Sequence, residues 1–236
     1  QARRSLAALG DIPDVRRAEL SKQLESALAA DAEAANLLAE AKRIDSEAKA
    51  EPSHVAALEA ELDTDPSQDF RQWRQKLDAG QPSQLSQQLA ELRAAAANDA
   101  SRAKDSAAEL EALLQRPSTL AQELDQARRE AEALASQTAA ANDIDLERRI
   151  GAIAAQAKQR QLLALVEKLS AERAALPARM HRLELEQRTL QRHLALTQRQ
   201  IEALEALLAQ STDAELSRLS VQLDEQAAQV ASDPEL

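Results

Sequence analysis

Few side chains in this sequence are able to hold a metal or move a proton. Its three histidines are His54, His181 and His193. Glu51 and His54 have the Glu-x-x-His spacing, which sets a carboxylate and an imidazole on one helix face. A di-metal bundle needs two such pairs and two further carboxylates facing inward. One pair occurs, with Pro52 inside it, so no metal site is expected. His181 and His193 read as surface residues. Carboxylates are abundant, but acid–base catalysis needs two of them in a cleft with displaced pKa values. Glu167 and Arg173, like Glu186 and Arg188, sit instead in mixed-charge runs of the kind that solvates a helix face. No Gly-x-Ser-x-Gly, phosphate-loop or His-Glu-x-x-His motif is present. The expectation is a chain that is not an enzyme, with no catalytic residues, no metal and no cofactor.

The two aromatic residues, Phe70 and Trp73, stand at i and i+3, and Leu77 extends their face. Exposed, they would mark a partner contact, since tryptophan is enriched at interface hot spots. Covered, they would plug the end of a helical bundle. The apolar continuation through Leu77 favours the plug.

Such residues need elements to carry them, and the composition says which. Of 236 residues, 44% are hydrophobic and 29% charged, but only 1% are aromatic, too few to fill a thick globular core. Ala, Leu, Gln, Glu and Arg dominate, the composition of long helices and coiled coils. The glycines are Gly10, Gly80 and Gly151 alone. A formal net charge of -11 argues against binding nucleic acid or an anionic membrane surface. With no cysteine there is no disulfide and no thiolate chemistry, which is compatible with an oxidising compartment such as a periplasm. No run of about 18 apolar residues exists to span a bilayer.

The strongest pattern lies between Asp143 and Leu208. Met180, Leu183, Leu190, Leu194, Ile201, Leu204 and Leu208 recur at spacings of three and four, broken only by Gln187 and Thr197. That is a coiled-coil seam. Leu146, Ile150, Ile153, Ala157, Leu165, Leu169 and Leu176 form another apolar face, and Pro177 separates the two. Proline has no N–H and clashes with the preceding helical turn, so it predicts a hairpin turn there. Pro117 and Pro52 read the same way.

The expected organisation follows from those turns. Residues 1–13 are an N-terminal remnant, with a short helix Ser5 to Leu9 closed by Gly10. Residues 14–65 form a first hairpin turning at Pro52, and 66–82 a short amphipathic connector closed by Gly80. Residues 83–142 form a second hairpin with Ser83 as N-cap and its turn at Pro117. Its first arm carries Leu85, Leu89, Leu92, Ala96, Ala103, Leu110 and Leu113, with Asp99 and Ser106 as polar interruptions. Its second arm carries Leu120, Leu124, Ala127, Ala131 and Leu134. Residues 143–210, capped by Asn142-Asp143, form a third hairpin turning at Pro177. Residues 211–236 open a further unit, capped by Ser211-Thr212-Asp213 and ended by Asp233-Pro234. The turns recur every 60 to 65 residues, which suggests an imperfect repeat. The fold class expected is all-α, an elongated array of antiparallel αα-hairpins or coiled-coil-like helical bundles.

The order of segments resembles the periplasmic (MscS-porin-type) region of large mechanosensitive channels of the MscS superfamily, in the MscK/KefA branch. Gln84-Leu85-Ser86-Gln87-Gln88-Leu89 and the run Ala108 to Pro117 carry the likeness, and Gln161 to Leu165 and Arg188 to Gln191 continue it. The resemblance implies a periplasmic structural or regulatory extension of a bacterial inner-membrane channel that responds to osmotic stress by potassium and solute efflux. It implies as partners other helical units and subunits of the same channel, assembled as a ring, with the pore and any membrane contact in downstream segments. It assigns no catalytic or ion-coordinating residue. The alternative from a different class is a stand-alone coiled-coil adaptor or scaffold.

Overall fold

The computed structural model describes residues 13–77, 81–139 and 146–232. They form four helices and, among the described residues, no strand: α1 (Asp14–Leu62), α2 (Pro66–Lys76), α3 (Pro82–Ala139) and α4 (Leu146–Ser232). The all-α class and the helical bundle follow directly from a sequence rich in strong helix formers with apolar residues at helical spacing. The remnant at Ser5 to Leu9 with Gly10, the Gly80 closure, the Asn142-Asp143 cap and the Asp233-Pro234 end lie outside the described residues.

The turns are not where the prolines predicted them. Pro52 lies inside α1, Pro117 inside α3 and Pro177 inside α4. The hairpins over 14–65, 83–142 and 143–210 are therefore corrected to single helices that run through their prolines. The repeat built on those turns falls with them. The physical reason is packing, clearest around Pro177. Leu169 and Leu176 before Pro177, and Leu183 after it, are all buried, so burial carries the helix across the missing hydrogen bond. All three prolines also sit on exposed faces, where water can take up the carbonyl left without a donor.

Two further starts are corrected. Ser83 is not an N-cap: α3 begins at Pro82, and the amides of Gln84 and Leu85 donate to the Gln81 carbonyl. Ser211-Thr212-Asp213 opens no new unit. Thr212 Oγ1 donates to the carbonyls of Leu208 and Ala209 inside α4, which continues to Ser232.

The chain divides into two compact units. The first holds residues 1–55 and 110–182, the second 56–109 and 183–236. In the first, α1 and α4 run parallel. Arg16 pairs with Glu147, Asp31 with Arg160, Glu40 with Lys168 and Glu51 with Arg182, a nearly constant offset of 128 to 131 residues. Between these pairs, Leu20 and Leu24 pack with Ile150, Ala27 and Ala30 with Ala157, and Ala34 and Leu37 with Ala164. Small side chains in the middle of that seam let the two backbones approach closely. Leu120 and Leu124 of α3 join Leu169 and Leu176 of α4 in a separate cluster.

In the second unit α3 and α4 run antiparallel, since Arg93 pairs with Glu205 and Arg102 with Glu186. Leu85, Leu89, Ile201 and Leu204 form its core, and Trp73, Leu77, Leu92 and Leu208 pack against it. Ser106 is buried in the α3 seam where the sequence placed a polar interruption.

Candidate functional site

The aromatic pair is held by α2. Asp65 accepts from the Ser67 amide at 2.9 Å as N-cap, and Pro66 fills the first helical position. About two turns later Trp73 reaches the second unit's core, and Phe70 stacks on it with ring centroids 5.6 Å apart. Both rings are half-buried. Trp73 is thus core packing on one side, while Phe70 borders a surface groove with Arg71, Arg74, Arg199 and Glu202.

The corner between α1 and α2 depends on a residue the sequence did not single out. Arg192 of α4 donates to the carbonyls of Glu61 and Leu62 at 2.9 and 2.7 Å, and to Thr64 Oγ1 at 2.6 Å. The last carbonyls of a helix have no donor of their own, and α1 has no basic residue in its last turn. Arg192 supplies both the donors and the positive charge. Next to it, His193 Nε2 meets Glu61 Oε1 at 2.5 Å. His181 lies on an exposed face of α4.

In the first unit, Arg116 makes a second node. Its Nε donates to Glu172 Oε1 of α4 at 2.6 Å, and its Nη1 donates to Glu123 Oε1 at 2.7 Å along α3. The hydrogen bond and charge of Arg116 hold the Glu123 carboxyl below its ordinary range, and those of the two glutamates, Glu172 first, raise the Arg116 guanidinium further. Glu51 is buried, and its Oε2 stands 2.9 Å from Arg182 Nε. The buried carboxylate is compensated by charge rather than by an aligned hydrogen bond at that oxygen. Glu51 and His54 share a shallow cavity of about 330 Å³ with Glu47, Arg179 and Arg182. The Glu-x-x-His pair therefore faces arginines. Among the described residues no group of three or more His, Asp or Glu could hold a metal ion.

These arrangements position helices. No described helix is long and apolar enough to cross a membrane. Beyond the second unit's core, Leu216, Leu219, Val221 and Leu223 of α4 are exposed. Comparison of the chain with protein-family models, with curated proteins and with solved structures finds no match.

Proposed function

We propose that this chain is a non-catalytic structural module, a helical segment that holds position between other parts of a larger assembly. The observation that carries the reading is how its buried groups are spent. The leucine and alanine layers, and the arginine nodes at 116, 182 and 192, join one helix to another.

Within that class, the resemblance to the periplasmic region of MscS-superfamily channels supports a role as a periplasmic extension of an inner-membrane channel that relieves osmotic stress. The likeness rests on residue order along α3 and α4, because Pro117 makes no turn. The test is made in the full-length protein. Deleting residues 14–232 should leave the downstream channel in the membrane but change survival after an abrupt drop in external osmolarity. A parent reading frame with no signal peptide and no apolar 20-residue segment would overturn the channel reading.

One observation favours the scaffold alternative. The exposed Leu216, Leu219 and Leu223 recur at helical spacing on α4, as in a face that receives another helix. A polar reading frame throughout, with these leucines needed for complex formation, would support an adaptor instead.

A further inference from the structure

Three interior prolines in three different helices fall within one stretch of the first unit, about 15 Å long along α4. Glu51, the residue before Pro52, pairs with Arg182 of α4. Arg116, the residue before Pro117, pairs with Glu172 of α4. Pro177 lies midway between these anchors, five residues after Glu172 and five before Arg182. Ten helical residues rise about 15 Å, so the levels of Pro52 and Pro117 each stand only about 7–8 Å along α4 from Pro177.

Each proline removes one backbone donor from its helix. The helical acceptors that lose an amide partner are the carbonyls of Ala48, Leu113 and Arg173, four residues earlier. In a lone helix such a loss is local. Here the three losses fall within one stretch about three turns long, so each of the three helices has a broken ladder inside it. Both ends of the layer are instead tied by ion pairs whose side chains are largely buried, Arg116 with Glu172 and Arg182 with Glu51. Apolar layers with uninterrupted helices lie further along, around Leu20, Ala27 and Ile150.

We propose that this stretch is a compliant layer built into the first unit. Its three helices open together more readily than the segments beside it, and its ion pairs restore their register on closing. Opening free energy varies along a fold, and segments with fewer backbone hydrogen bonds open first. The inference does not depend on what the module is attached to.

Amide hydrogen exchange on the whole chain tests it. Residues 48–56, 113–121 and 173–181 should exchange at least about tenfold faster than residues 20–34 and 150–164, given the cost of an interior proline. Replacing Pro52, Pro117 and Pro177 together by alanine should slow exchange in all three segments and leave the others near their original rates. The single variant Pro177→Ala separates a shared layer from three independent kinks: it should slow exchange in 48–56 and 113–121 as well as in its own helix. Pro66→Ala, at the first position of α2, should change none of the three segments. Equal protection along the unit, uniform slowing of the whole chain in the triple variant, or an effect of Pro177→Ala confined to α4 would each overturn the proposal.

Discussion

Arg192 Nη1 stands 2.7 Å from the Leu62 carbonyl, so the end of α1 is capped by a side chain 130 residues away in sequence. The guanidinium is largely buried and its contacts to Glu61, Leu62 and Thr64 are direct. A charged hydrogen bond of this kind contributes about 1.5–3 kcal/mol. Arg192→Ala should therefore lower stability by about that amount, read from urea titration. It should also speed amide exchange over residues 59–64 more than over the first unit. Arg192→Lys keeps the charge but loses the planar fork, and should recover only part of the loss. Wild-type stability in the alanine variant would remove Arg192 as the cap.

Acid should weaken the fold through identifiable pairs. Glu123, Glu40 and Glu147 are each held below the ordinary carboxyl value of 4.5, by hydrogen bonds first and then by the charges of Arg116, Lys168 and Arg16. A carboxyl whose pKa is depressed by folding binds fewer protons in the folded state than in the unfolded one. Its stabilisation is complete above pH 4.5 and is lost as pH falls through the folded values. Thermal midpoints should thus fall steadily with acid below about pH 4.5, with no pH dependence from these groups between pH 5.5 and 8, where their stabilisation is fully present. Arg116→Gln returns Glu123 toward its ordinary value and should make the acid limb shallower. Acid limbs of equal slope in the two proteins would show that the Arg116 pair carries none of the effect.

How much of this was legible depends on how local each signal is. The leucine stripes are local signals: Leu85 and Leu89, Leu120 and Leu124, and Leu183, Leu190, Ile201 and Leu204 are all buried. The short amphipathic connector expected over 66–82 contains α2, but its start at Asp65 and Pro66, also a local signal, was not singled out. The prolines misled because the rule that proline ends a helix is also local, whereas the burial that overrides it comes from partner helices. Ala27, Ala30, Ala34 and Ala41 form a buried face that carries little hydrophobic signal. In α4 the buried set includes Leu162 and Ala164 besides the expected stripe, because this helix packs against both α1 and α3 in the first unit; Leu185 and Thr189 are buried off the stripe in the second unit. A single seam could not predict two partners. Arg116 and Arg192 sit in mixed-charge runs, and nothing in sequence separates an arginine that caps or bridges from one that is solvated.

Gly151 offers a test of helix propensity free of packing. It lies in the first turns of α4, and a methyl group added there would meet nothing within 4 Å. Glycine in a helix interior costs about 0.5–1 kcal/mol relative to alanine. Gly151→Ala should raise stability by that amount, measured by chemical denaturation. A loss of stability would mean that the α1–α4 seam near Ile150 leaves less room than its geometry indicates.

The continuity of α3 through Pro117 is open to direct measurement, because the two accounts of that proline differ by a large distance. Glu111 and Asp125 flank it on exposed faces, so spin labels there disturb no core contact. They are 14 residues apart, which in one helix spans about 21 Å. A turn at Pro117 would instead bring them to the separation of packed helices, about 8–10 Å between axes. The chain has no native cysteine, so two introduced cysteines label uniquely. Dipolar spectroscopy should give a distribution centred near 21 Å, broadened by the label linkers and by any bend at the proline. Replacing Pro117 by alanine should narrow that distribution without moving its centre by more than a few ångströms, since the proline perturbs a helix that already exists. Strong short-range coupling would restore the hairpin, and the α3–α4 alignment set by Arg116 and Glu172 would then be wrong as well.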